Sequence, residues 1–291
     1  MVSEHTGPLV VIVGETASGK SALALEVAKK VGGEIVSADS WTVYRDFNIG
    51  TAKPNADERA EVRHHLLDIV DPTAGYSAAV FKRDALSVIA DITSRGKIPI
   101  LVGGTGLYVD SVLYDYGFLS PPANGIREEL NGKSLDQLLI KANALSLDLS
   151  RIDIHNKRRV IRLIENNGQM PTKAGIRKNT LIVGIRIERL ELERKVKERV
   201  DKMFQQGLQE EARNLSVKYG WGVEPMKGIG YREFQQYYLG NQELEQTKAQ
   251  IIKSTLDLAK RQRTWFKRNK SIQWVDDRSN AVEIITTFLN K

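Results

Sequence analysis

The 291-residue sequence contains no cysteine. That absence excludes disulfides, thiol nucleophiles and Cys-ligated metal sites, and it suits a reducing compartment. Histidine is scarce, with four residues, of which His64 and His65 are adjacent. With no third ligand at a suitable spacing, that pair reads as structural rather than metal-binding. No apolar run approaches the roughly 20 residues of a membrane-spanning helix, and no long polar tract dilutes an apolar content of 41%. A chain of this composition can offset its ordering entropy by burial, so a folded protein is expected, with no membrane partner. The opening MVSEHTGPLVVIV carries an acid before its apolar run, and the run ends directly in a glycine-rich loop. That pattern is a first strand rather than a signal peptide.

Bases outnumber acids, 43 Lys and Arg against 36 Asp and Glu, for a formal charge of +7. Their distribution says more than the total. From Lys248 to Lys270 there are eight bases and one acid, Asp257, and a second cluster, Lys157, Arg158, Arg159 and Arg162, lies mid-chain. Two separated basic clusters suit an extended polyanion such as RNA better than a small metabolite.

The first hundred residues alternate strand and helix: LVVIV, SALALEVAKKV, EIVSAD, a polar loop through NIGTAKPNADE, SAAVFKRDALSVIADITSRG, IPILVGG. Such alternation predicts an α/β fold with a parallel sheet and right-handed crossovers. Pro121, Pro122 and Gly125 mark a boundary, after which REELNGKSLDQLLIKANALS and NKRRVIRLIENNG read as helices without strands. TLIVGIRIE then returns a strand, followed by one long helix, ELERKVKERVDKMFQQGLQEEARNL. The expected organisation is a P-loop α/β core from 1–117 and 180–291, with basic C-terminal helices and a helical insertion at 118–179.

GETASGKS, Gly14 to Ser21, satisfies G-x-x-x-x-G-K-[ST] between an apolar strand and an amphipathic helix. The glycines let the backbone curl so that N–H groups converge on an anion, and the helix N-terminus adds partial positive charge. Lys20 is placed to reach the outer phosphates and the Ser21 hydroxyl to ligate Mg²⁺. The immediate reading is a nucleotide- or ATP-binding hydrolase or kinase, yet IPILVGG ends in Gly103-Gly104-Thr105 with no Walker-B carboxylate. The strand that does end in an acid is EIVSAD. Asp39 therefore falls on the rim that carries the P-loop, where a carboxylate can accept a proton from a nucleophile or simply cap the next turn. Gly103 to Gly106 repeat a glycine-rich turn at a second strand end, with the Thr105 hydroxyl expected to face the crevice.

GETASGKS, SADSWTVY, NIGTAKP, HHLLDIVDP, GYSAAVFKRDA, GKIPILVGGTGLY, KERVDKM, KGIGYRE and AKRQRTWFKR occur in that order. Together they resemble the tRNA dimethylallyltransferases, or tRNA isopentenyltransferases, from about Leu9 to Val275. The resemblance implies a nucleoside-kinase-like core that binds dimethylallyl diphosphate in the P-loop and transfers the five-carbon group to N6 of adenosine 37. By that resemblance Asp39 is the general base, Thr105 lies near the reacting adenosine, and Arg199 grips the diphosphate with Gly14, Thr16, Ala17, Ser18, Gly19, Lys20 and Ser21. It assigns to the tRNA anticodon stem-loop Asp39, Ser40, Trp41, Thr42, Thr105, Arg127, Arg158, Arg159, Arg162, Lys227, Gly230, Tyr231 and Arg232. Mg²⁺ is the implied cofactor; a cytoplasmic location and a monomer are expected.

Trp265 and Phe266, among the C-terminal bases, read as core packing. The chain departs from the family's pattern at Glu15, usually proline, at Trp41 and Thr42, usually a polar pair, and at Lys227, often arginine or glutamine. An acid at position 15, beside a diphosphate loop, is unexpected unless it points to solvent. Rival readings are an adenylate isopentenyltransferase acting on free AMP or ATP, a P-loop small-molecule kinase, and a non-catalytic RNA-binding protein.

Overall fold

The computed structural model describes residues 7–119 and 125–290. Pro121 and Pro122 lie outside these residues. The chain divides into two compact units, one made of the residues up to Leu113 and from Arg177 onward, the other of Tyr114–Ile176.

The larger unit is built on a six-stranded sheet, parallel throughout. Its strands are β1 (Leu9–Gly14), β2 (Glu34–Ser37), β3 (His64–His65), β4 (Pro99–Gly103), β5 (Thr180–Ile185) and β6 (Gln273–Val275), in the order β3-β2-β4-β1-β5-β6. β1 is buried at every position and sits centrally, which is why it reads as a continuous apolar run rather than an alternating one. The chain leaves β1 toward one edge and later returns to its other side at β5. The carboxyl ends of β1 and β4 therefore meet where the winding reverses, the usual crevice for ligands in such sheets. β6 is not foreseen by the sequence pattern; three residues are too few to show a period.

The helices of this unit are α1 (Lys20–Val31), α2 (Ala56–Glu61), α3 (Ala78–Ser94), α4 (Gly106–Leu113), α8 (Arg189–Gln205), α9 (Leu208–Tyr219), α10 (Phe234–Tyr238), α11 (Leu244–Phe266) and α12 (Arg278–Leu289). α1 ends at Gly32 in the left-handed region (φ 64°), the conformation a helix C-terminus favours in glycine. The single helix expected after β5 is two, α8 and α9, because Gly207 takes φ 94° and starts α9 afresh. The loop through NIGTAKPNADE also contains α2, opened by a reciprocal Asn55–Glu58 capping box.

At the N-terminal end of β2, Glu34 is buried and accepts from Arg95 at 2.6 and 2.8 Å, with Lys97 at 2.9 Å and His65 Nε2 at 2.7 Å. His64 Nδ1 lies 2.8 Å from the Val62 carbonyl. His65 thus ties the edge strand to β2, while His64 is held by its own segment; both adjacent histidines have structural partners.

The smaller unit holds α5 (Ile126–Asn131), α6 (Leu135–Ala144) and α7 (Lys157–Glu165) around Leu130, Leu138, Ala142, Val160, Ile161 and Ile164. An antiparallel bridge, Gly117 to Thr172, closes its two ends. The core chain breaks off at Leu113 rather than 117 and resumes at Arg177 rather than 180. Gly117 belongs to that bridge, while Arg177 N–H donates to the Leu113 carbonyl and its guanidinium to Gly7.

Candidate active site

The phosphate loop is shaped by three unusual backbone angles, Gly14 φ 155°, Ala17 φ 61° and Gly19 φ 93°. It turns from β1 directly into the N-terminus of α1, where the first N–H groups have no intrahelical acceptor. Lys20 Nζ donates to the Glu15 carbonyl at 3.2 Å, folded back over the loop. Burial and the neighbouring Arg199 charge lower the Lys20 ammonium to a pKa of about 8, against the opposing pull of Asp39 and Glu15.

Arg199 comes from α8, whose Leu192, Val196, Val200 and Met203 form the buried stripe. Arg199 flanks that stripe, half-buried, with its own pKa lowered by burial. Two neighbouring cations with depressed affinity for their protons, only partly offset by the charge of Asp39, make a site that favours a polyanion.

Thr16, Lys20, Ser21, Asp39 and Arg199 line one cleft, together with Trp41, Thr42, Gly50, Thr51, Gly103, Gly230, Tyr231 and Gln262. The sequence reading brought Lys20, Asp39 and Arg199 to one place from three distant segments, and the fold does the same. Asp39 sits just beyond β2. Its Oδ1 accepts the Trp41 N–H at 2.9 Å, the turn-capping role, which leaves the second carboxylate oxygen as a further acceptor. The capping and the proton-accepting readings are therefore compatible.

Thr105 is not among the residues lining the cleft. Its hydroxyl accepts from Ser40 N–H at 3.1 Å and lies 3.4 Å from Ser40 Oγ, so it faces the Asp39 turn rather than open crevice. Gly103 has a structural reason: a Cβ there would collide with the Ala38 backbone. This close approach, with Thr105 N–H on the Ala38 carbonyl at 3.3 Å, draws the ends of β2 and β4 together and thereby holds Asp39 and Thr105 in one neighbourhood.

Ser18 does not line this cleft. It is 5% exposed, and its Oγ has no hydrogen-bond partner, a rare state for a buried hydroxyl and one that suits an anion's oxygen. Ser21, by contrast, is exposed at the start of α1. Among the described residues no three His, Cys, Asp or Glu side chains are grouped to hold a metal. The donor set fits Mg²⁺ only as Ser21 plus oxygens of a bound diphosphate and water, the arrangement this hard ion commonly takes.

The residues assigned to RNA divide. Trp41 is half-buried and Thr42 buried, its Oγ1 3.1 Å from Ser37 Oγ; both line the cleft. Gly230 also lines it, with its N–H on Glu233 at 2.9 Å. Tyr231 is 1% exposed, and its hydroxyl donates to Glu211 at 2.6 Å, so its side chain supports the cleft wall instead of offering a surface. Lys227 and Arg232 are exposed but paired, Lys227 to Glu224 at 2.8 Å and Arg232 to Glu233 at 3.0 Å. In the smaller unit Arg127 is spanned by the buried carboxylate of Glu165, which Arg162 also approaches at 3.4 Å. Arg158 and Arg159 project as exposed residues from the first turn of α7.

Four residues, Glu211, Glu15, Arg263 and Gln262, organise the cleft through partners that sequence patterns do not show. Glu211, on α9, accepts N–H groups from Asn48, Ile49 and Gly50 between 2.9 and 3.2 Å and so pins the NIGTAKP loop along the cleft. Glu15 is buried, not solvent-facing, and ion-paired with Arg263, the longer of its two bonds 3.0 Å. Gln262 lies between the two glycine loops. Glu211, Gln262 and Arg263 are polar residues on helices and Glu15 stands in the loop after β1; only the tertiary fold reveals the partner of each.

A family model described as IPP transferase matches residues 42–269. The chain belongs to the IPP transferase family. Among its relatives, a tRNA dimethylallyltransferase of Geobacter metallireducens is 41% identical, covering 99% of both chains. One of Anoxybacillus flavithermus is 39% identical over 92% of this chain and 90% of that one. A tRNA isopentenylpyrophosphate transferase crystal structure from Bacillus halodurans superposes with TM-score 0.76 at 35% identity, covering 97% of each chain. A eukaryotic dimethylallyltransferase, solved acting on tRNA, superposes at 0.81 with 25% identity over 97% of this IPP transferase chain and 79% of its own.

Proposed function

We propose that this chain transfers a dimethylallyl group from dimethylallyl diphosphate to N6 of adenosine 37 in tRNA, releasing diphosphate, in the cytoplasm. The observation that carries the reading is the juxtaposition of a carboxylate, Asp39, with two partly desolvated cations, Lys20 and Arg199, around a phosphate loop. Family membership supplies the chemistry to which that arrangement is matched.

The diphosphate would lie over the loop amides, with Lys20 and Arg199 on its oxygens. As the N6–C1 bond forms and the allylic C1–O bond breaks, the electron pair leaves with diphosphate, and the growing charge meets preorganised cations. The N6 proton passes to Asp39, whose turn bond to Trp41 N–H fixes the carboxylate's direction. Mg²⁺, held by Ser21 and the diphosphate oxygens, would supply further charge neutralisation to the leaving group. Trp41 offers an apolar wall against which an unstacked adenine can lie, since a base reacting at N6 has to leave the anticodon-loop stack. Arg158 and Arg159 would meet tRNA phosphates.

A competition experiment tests the acceptor. Given labelled dimethylallyl diphosphate with AMP and unmodified tRNA together, the protein is expected to label tRNA and leave AMP bare. Label on AMP would assign it to free adenylates instead.

A further inference from the structure

Two consecutive residues of α11 hold two consecutive residues of the phosphate loop. Gln262 Oε1 accepts the Thr16 N–H at 2.7 Å, while Arg263 pairs with the buried Glu15 carboxylate. The other end of the Gln262 amide, Nε2, donates to the Gly104 carbonyl at 3.1 Å. One buried side chain thus spans from the loop that bears Lys20 to the loop that bears Thr105. Gly104 has no room for a side chain because its Cβ would collide with Nε2, and Gly106 is likewise filled by the Trp265 ring of the same helix. Trp265 is anchored in turn through Nε1 to Asp110 on α4 at 3.1 Å.

We infer that Gln262 is a positioning residue that sets the separation between the diphosphate loop and the adenosine-side loop, with the Glu15–Arg263 pair fixing the register of the strap. The inference deepens the proposed function and rests on it. The physical reason is geometric. Transfer needs the allylic C1 and the adenine N6 at near-attack distance. The first is held by the loop after β1, the second by the Asp39 turn after β2, which the β4 loop carries through Ser40 N–H on the Thr105 hydroxyl and Thr105 N–H on the Ala38 carbonyl. Hydrogen bonds from one planar amide to both loops leave little freedom in that distance. The pair at Glu15 and Arg263 gives the loop entrance a second fixed point on the same helix. It also removes Arg263 from the basic surface of α11, since its guanidinium is spent on Glu15.

The test uses Gln262→Met, which keeps the volume and loses both bonds, and Gln262→Glu, which keeps the acceptor for Thr16 N–H and loses the donor to Gly104. Inorganic pyrophosphate affinity is measured by calorimetry, kcat and KM with dimethylallyl diphosphate and tRNA, and folding by near-UV circular dichroism. The strap predicts that Gln262→Met lowers kcat by about 10- to 100-fold and weakens pyrophosphate, with KM for tRNA unchanged. Gln262→Glu is expected to keep pyrophosphate affinity within about threefold while losing kcat, a split that a merely structural residue would not produce. A folded Gln262→Met with pyrophosphate affinity and kcat both like the parent's overturns the inference. If that variant does not fold, Gly104→Ala, which pushes Nε2 aside, is measured the same way; an unchanged kcat overturns it equally. A parent protein that binds pyrophosphate but never prenylates tRNA refutes the functional reading instead, and the pyrophosphate arm still decides the strap.

Discussion

Lys20 shows how an anion site is prepared at the expense of the free fold. Its ammonium has a pKa of about 8, below the ordinary 10.5, because burial and Arg199 outweigh Asp39 and Glu15. Between those two values the unfolded chain binds more protons than the folded one, so stability rises with pH across that window, and the penalty is fully present below about 8. Lys20→Met is therefore expected to raise stability at pH 7 by about 1–2 kcal/mol while abolishing transfer, measured by urea unfolding beside an activity assay. A destabilised, inactive variant would mean that Lys20 supports the loop rather than waits for an anion. Glu211 is the opposite case, a carboxylate fully used by three backbone N–H groups and a phenol. Glu211→Ala leaves those donors unpaired and should cost about 2–3 kcal/mol with loosened protection of amides 48–50 in hydrogen exchange. Lys20 was legible because the P-loop signature is local and chemical. Glu211 was not, since its backbone donors lie 161 to 163 positions away in the chain.

Among the elements, the strand-loop-helix units were readable wherever the period or the punctuation was local. β1, α1 and β4 follow from a buried apolar run, a C-terminal glycine and a glycine-rich strand end. The split of α8 from α9 was missed although Gly207 stood in view, because a lone glycine in a helical pattern is more often tolerated than obeyed. β6 escaped because three residues gain strand identity only from pairing with β5. At the sheet's other end, the Arg95 guanidinium beside buried Glu34 holds that carboxyl far below the usual carboxylate range, with Lys97 and His65 adding to it. A depressed carboxylate contributes stability above its unfolded pKa near 4.5 that is lost as pH falls below it. Glu34→Gln should therefore lower stability at pH 7 by about 2–4 kcal/mol and flatten the acid limb of the pH–stability curve; an unchanged acid limb would remove this cluster from the account. On α7, replacing Arg158 and Arg159 with alanine is expected to weaken tRNA binding and flatten its dependence on salt. An unaltered salt slope would take them out of the interface.

In the molecule as a whole, a parallel sheet reverses its winding at β1, the phosphate loop stands at that reversal, and the packing of Gly103 on Ala38 brings a carboxylate beside it. The transfer proposed for this chain needs those parts in that relation, a leaving diphosphate on one side and a proton acceptor on the other, and relatives named tRNA dimethylallyltransferase support that proposal. The most direct measurement is the mass of digested, initially unmodified tRNA after incubation with Mg²⁺ and dimethylallyl diphosphate, using the parent protein and Asp39→Ala, with ATP in a parallel reaction. The account predicts a five-carbon gain on the adenosine beside the anticodon, slowed by about a hundredfold or more in the variant while tRNA affinity persists. No gain with the parent, together with phosphate released from ATP, would contradict it and return the loop to a nucleotide.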